Sequence, residues 1–123
     1  MEYKSFKELQ IWQMSEILVE NVYKQTELFP KSEKFNLVSQ LRRSSVSIAG
    51  NIAESWGRYH YADKIRVLYI ARGEIEELRA YLSISKKLNF IDPLQYIKLE
   101  NFCEKLITDL NKYKKSLASK INN

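Results

Sequence analysis

Residues 33–57 read EKFNLVSQLRRSSVSIAGNIAESWG, and they settle the secondary-structure class of the chain. Val38, Leu41, Ser45, Ile48 and Ile52 fall at three- and four-residue intervals, which puts them on one face of a helix. A strand would need alternation with a period of two. The spacing predicts a helix over 33–56, stopping near Gly57. Ser44, Ser45, Ser47, Ala49, Gly50 and Ala53 keep its surface small enough for another helix to come close, so a central position is expected. Gly50 would otherwise cost about 1 kcal/mol against alanine.

Working outward, Ser5 and Glu8 have the spacing of a capping box. Leu9, Trp12, Val19, Val22 and Tyr23 follow at helical intervals until Phe29-Pro30 breaks the pattern, predicting a first helix over 5–28. Downstream, Leu68, Ala71, Ile75, Leu78, Leu82 and Ser85 mark a helix over 61–89, closed by Asn89, which tolerates the left-handed conformation. Asp92-Pro93 is an N-cap before a favoured first-turn residue. Tyr96, Leu99, Cys103, Leu106, Leu110, Tyr113 and Leu117 then carry one stripe through a fourth helix over 92–119. Helices of about 22 to 30 residues, roughly 33–45 Å long, joined by short connections run antiparallel to their sequence neighbours. The expectation is one all-α domain over 1–123, an antiparallel up-down-up-down four-helix bundle with a fraying tail over 118–123.

Some apolar residues do not fit a single core stripe. Val46, Ala49, Ala53 and Trp56 form a second stripe on the side of the 33–56 helix roughly opposite Ile48 and Ile52. Ile11, Met14 and Leu18 likewise project away from Leu9, Trp12 and Val19. Contiguous apolar surface of this kind marks an interface, so these seven residues are expected to bury against another copy in a homo-oligomer. A broad core face or scattered surface residues would account for them otherwise.

Composition limits the chemistry. The 123 residues are 45% hydrophobic and 28% charged with three glycines and two prolines, which suits long helices and not a turn-rich β fold. Cys103 is the only cysteine, so an intrachain disulfide and a Cys-based zinc site both lack a second thiol. There is no apolar run near the ~20 residues that span a bilayer and no basic-then-apolar leader, so a cytoplasmic protein without a membrane partner is expected. His60 is the only histidine. Phosphate-binding loops, zinc-protease helices, nucleophile elbows and the Glu-x-x-His pairs of di-iron bundles are all lacking. Glu74, Glu76 and Glu77 crowd one helix without the His or Asp cluster of a two-metal site. No enzyme, cofactor or metal is expected.

The net charge of +5 favours approach to polyanions. Arg72, Arg79 and Lys86 repeat every seven residues along the third helix, and Lys98, Lys105 and Lys112 do so along the fourth with Lys115 close by. Arg42, Arg43 and Arg58 add to them on the second. These ten are the candidate nucleic-acid-binding residues. A solvated face with local ion pairs, such as Arg72 and Arg79 flanking Glu76, explains each one singly. Repetition in a symmetric assembly would let weak phosphate contacts add up. Trp56, Arg58, Tyr59, His60 and Tyr61 interleave aromatics with bases and suit either base stacking or helix-end packing.

The stretches FKELQIWQMSEILVENVYKQTELFPKSEKFNLVSQLRRSSVSIAGNIAESWGRY (6–59) and IRVLYIARGEIEELRAYLSISKKLNFI (65–91) resemble the four-helix-bundle family of 23S rRNA intervening-sequence proteins, also called ribosomal protein S23-like. The most specific part runs from Phe29-Pro30 through Gln40-Leu41-Arg42-Arg43 to Asn51-Ile52-Ala53-Glu54 and Gly57-Arg58, then Ile70-Ala71-Arg72-Gly73 and Glu77-Leu78. The resemblance implies a ring-like homopentamer with no assigned catalytic activity and a suspected role in binding RNA or another nucleic acid. A similar bundle class that accompanies reverse transcriptases offers the alternative of a protein-interaction scaffold or accessory subunit. Ala49-Gly50 stands where the family often has Pro-Ser, which should straighten this helix. Ser55 stands in place of a frequent glycine, and Glu74 in place of a usual serine, which adds charge beside Gly73.

Overall fold

The computed structural model describes residues 3–121; among them are four α-helices and no strand. Helix α1 spans Gln10–Thr26, α2 Leu37–Gly57, α3 Tyr61–Lys87 and α4 Pro93–Ala118. Each packs on two others, α1 and α3 both lying between α2 and α4, with α2 most extensively on α3. One end of the bundle joins Thr26 to Arg42, Gln25 to Gln95 and Phe29 to Phe90. The opposite end gathers Tyr3, Trp56, Tyr61 and Tyr113. Successive helices therefore run antiparallel. Of the tail, 119–121 forms a turn after α4, and Asn122 and Asn123 lie outside the described residues.

The core stripes of α2, α3 and α4 lie where the periodicity puts them. Leu41, Ile48, Ile52, Leu68, Ala71, Ile75, Leu78, Cys103, Leu106 and Leu110 are all fully enclosed. Serines share these stripes because each satisfies its hydroxyl within its own helix. Ser45 Oγ donates to the Arg42 carbonyl at 2.9 Å, Ser55 Oγ to Ile52 at 2.6 Å and Ser85 Oγ to Tyr81 at 2.8 Å. Burial then leaves no unmade bond.

The caps of α3 and α4 are also as expected. Asn89 takes φ 62°, and the amides of Asn89 and Phe90 donate to the carbonyls of Lys86 and Ser85, a Schellman closure. The Asp92 carboxylate accepts from the amides of Leu94 and Gln95, ahead of Pro93.

The first two helices begin later than expected. Ser5 caps only a 3-10 turn over Phe6–Glu8, accepting from the Lys7 amide, and Glu8 reaches back to the Lys4 amide instead of Ser5. Leu9 is extended (φ −68°, ψ 131°), and α1 starts at Gln10. A second 3-10 turn at Lys31–Glu33 and the turn over 34–36 occupy the expected start of α2, which begins at Leu37.

That offset reverses the reading of α1. Ile11, Met14, Leu18 and Val22 are 3%, 7%, 0% and 1% exposed and belong to the chain's own core, so Ile11, Met14 and Leu18 are not free for another subunit. Tyr23 is exposed, and Trp12 and Val19 are half-buried. The second stripe of α2 also divides. Ala49 is buried and Trp56 packs against the core, Ala53 is half-buried, and Val46 faces out at 48% exposure. Within this chain the space beside Gly50 is open, so no helix of the bundle uses it for close approach.

Cys103 is fully buried beside Glu100, and desolvation followed by that charge pushes its thiol up to about 12. A thiol reagent at pH 8 should therefore leave Cys103 unlabelled in the folded protein and label it promptly in denaturant. Prompt labelling under native conditions would place Cys103 at a surface.

Candidate nucleic-acid interface

The ten candidate cations divide by what surrounds them. Arg42 joins α1 to α2: Nε donates to Thr26 Oγ1 at 2.9 Å, Nη2 to Glu27 at 3.1 Å, and the guanidinium lies 4.5 Å from the Tyr23 ring centre. Thr26 in turn donates to the Val22 carbonyl at 2.7 Å. Arg58 pairs with Glu54 at 2.6 Å and Lys105 with Asp109 at 3.5 Å.

Arg79 is the most engaged. Nε and Nη2 donate to Glu100 Oε1, Nη1 to Glu76 at 2.8 Å, and Glu104 lies within 3.5 Å. The Glu100 bond, against some desolvation, holds its pKa above the ordinary arginine value. Arg42 and Arg79 are thus structural cross-links, and the basic line expected along α3 is interrupted at its middle. Arg72 does not flank Glu76 in an ion pair, as Arg79 does.

Arg43, Arg72, Lys86, Lys98, Lys112 and Lys115 are exposed and form no ion pair with the described residues. Lys86 lies 4.9 Å from the Tyr96 ring centre. Arg72 and Lys115 come together, lining a groove of about 350 Å³ between α3 and α4 with Ile65, Tyr69, Asn111 and Lys114.

Three lysines escaped the heptad pattern. Lys114 is 6% exposed with its Nζ 3.7 Å from the Tyr69 ring centre. Burial and then the Arg72 charge lower its pKa. Lys64 donates to the Trp56 carbonyl at 2.7 Å, closing the C-terminus of α2, and desolvation lowers its pKa. Lys120 lies over Tyr61. The signal for Lys114 was available, since it stands in the core stripe between Leu110 and Leu117. The whole stretch 110–121 also carries four lysines and no acid.

The aromatic-basic connection is split. Tyr59 is 88% exposed and set edge-on to His60. Trp56 and Tyr61 instead turn to the bundle end, where Tyr3, Tyr113, Lys64 and Lys120 help line a cavity of about 450 Å³. Among the described residues no three His, Cys, Asp or Glu side chains group to hold a metal ion. None of the helices is long and apolar enough to cross a membrane.

The family described as 23S rRNA-intervening sequence protein matches over residues 7–112, most of the bundle. The chain belongs to this family. A solved structure from Bacteroides thetaiotaomicron, described as a protein with unknown function from the S23 ribosomal protein family, superposes with a TM-score of 0.79 at 24% identity. The match covers 85% of this chain and 95% of that one, and it shows a shared fold. Among curated proteins, none matches. This intervening-sequence family member thus has a fold common to its relatives and a description that carries no activity.

Proposed function

We propose that this protein is a non-enzymatic cytoplasmic homo-oligomer, a pentamer, that binds RNA or another nucleic acid through the basic end of its α3–α4 face. The carrying observation is the pairing pattern. Carboxylates engage Arg42, Arg58 and Arg79, while Arg72, Lys114 and Lys115 line one groove near the end of α4 that no carboxylate shares. Repeating that cluster in every subunit would multiply phosphate contacts and the counterions they release.

Self-assembly is supported by the outer face of α2 and α3. Val46, Ile70 and Ile84 are each near half-exposed there, and Gly50 and Gly73 face open space. The same face would serve a protein partner, which makes an accessory subunit, for example to a reverse transcriptase, the second reading.

Light scattering of the protein alone and with total RNA, at low and high salt, tests both. The expected result is a particle of about five 14.6-kDa chains that gains RNA at low salt and sheds it steeply as salt rises. A monomer would remove the oligomer, and RNA binding indifferent to salt would remove the basic face. An oligomer that ignores RNA at every salt would favour the protein-partner reading.

A further inference from the structure

We propose that Arg72, Lys114 and Lys115 form a binding site for a terminal phosphate, a phosphomonoester dianion, in the groove between α3 and α4 with the Tyr69 ring as one wall. Lys114 is the reason. Its stem occupies a core position between Leu110 and Leu117, and its ammonium makes no hydrogen bond or ion pair with the described residues. An ammonium has three donors, and a ring face is a partial substitute for an anion. The Lys114 stem is enclosed while the ammonium opens into the groove, where it lacks an anionic partner.

The surroundings increase that deficit. Arg72 and Lys115 line the same groove, and no carboxylate lines it. Three cations around one opening repel one another, and the lowered pKa of Lys114 reflects both its burial and Arg72. A phosphate would satisfy all three. The planar Arg72 fork suits two oxygens, Lys114 would approach from below, Lys115 from the rim, and the Asn111 amide offers a further donor. The groove, at about 350 Å³, has roughly ten times a water's share of liquid volume, enough for a phosphate and part of its carrier. Three positive charges match a dianion better than the single charge of a phosphodiester.

Such a phosphate could be the 5′ end of an RNA or belong to a small phosphorylated molecule. The proposal depends on the nucleic-acid reading only for the first source. The site is tested with the intact protein carrying ¹³C-labelled lysine. Inorganic phosphate, against chloride at equal ionic strength, should shift the Lys114 signal saturably. Arg72→Gln, an exposed change that leaves folding intact, should weaken that response at least tenfold. A Lys114 signal that ignores phosphate overturns the site, including the case in which a carboxylate of a second copy already fills it.

Single-stranded RNA oligonucleotides bearing 5′-phosphate or 5′-hydroxyl then separate the sources. A tenfold preference for the phosphate, lost in Arg72→Gln, identifies the RNA end. Equal binding of both, with the Lys114 response intact, supports the site with a small phosphorylated ligand. RNA binding without any Lys114 response removes the site and leaves the basic face standing. A Lys114 response without RNA binding does the reverse.

Discussion

Replacing Leu18 with alanine should lower the folding stability by about 2–5 kcal/mol and leave the number of subunits unchanged. Leu18 is fully enclosed within its own bundle, in line with Ile11, Met14 and Val22. The truncation removes three carbons from that packing and leaves a cavity the neighbouring helices cannot fully close. Urea unfolding should show a lower midpoint at unchanged slope, with the same mass by light scattering. A fall in mass with little change in stability would return Leu18 to a subunit contact. Val46→Ser is the matching control, because Val46 is half-exposed and its loss should leave the folding of one bundle nearly untouched.

Leu18 lies on one of two competing patterns. Two stripes in α1 both obey helical spacing, Ile11-Met14-Leu18-Val22 and Leu9-Trp12-Val19-Tyr23; Val22, expected in the core with the second, is buried but stands in line with the first. Taking Ser5 as the helix start put Leu9 in phase with the second. In the structure Leu9 precedes the helix with extended backbone, so its burial says nothing about which face of α1 turns inward. Two signs favoured the first stripe. Glu16 interrupts the second, whereas Ser15 and Thr26, on the buried side, return their hydroxyls to the carbonyls of Trp12 and Val22. Helices α3 and α4 pose no such choice: one stripe in each dominates, and Asn89 and Asp92-Pro93 fix the turn between them.

The candidate interface was less legible because charge spacing along one helix does not record what the neighbouring helix offers. Arg72 and Arg79 are equivalent by period. Only the approach of α4, bringing Glu100 and Glu104 to Arg79 and Lys114 to the groove shared with Arg72, gives them opposite roles. Lys114 differs: its place between Leu110 and Leu117 marks it in the sequence as a lysine on an apolar stripe, and the structure adds that no carboxylate stands beside it.

Arg79→Ala is expected to cost about 3 kcal/mol while leaving RNA affinity, per folded molecule, unchanged. Its guanidinium gathers Glu76, Glu100 and Glu104 at the α3–α4 seam. Glu100 is the critical partner: its side chain is 18% exposed, and its Oε2 is buried with no hydrogen-bond partner. Without Arg79 that carboxylate stays desolvated among like charges, which is a larger loss than the net worth of the pair. The double variant Arg79→Met with Glu100→Leu should therefore recover most of the stability, since packing replaces both charges at once. A double variant as unstable as the single would mean that Glu76 and Glu104 also depend on Arg79. Lys112→Gln with Lys115→Gln should act in the opposite sense, keeping stability within about 0.5 kcal/mol and reducing RNA affinity and its salt slope. If Arg79→Ala weakens RNA binding as much as the lysine pair does, the basic surface extends past the carboxylates to the middle of α3, and the confinement of binding to the end of α4 is wrong.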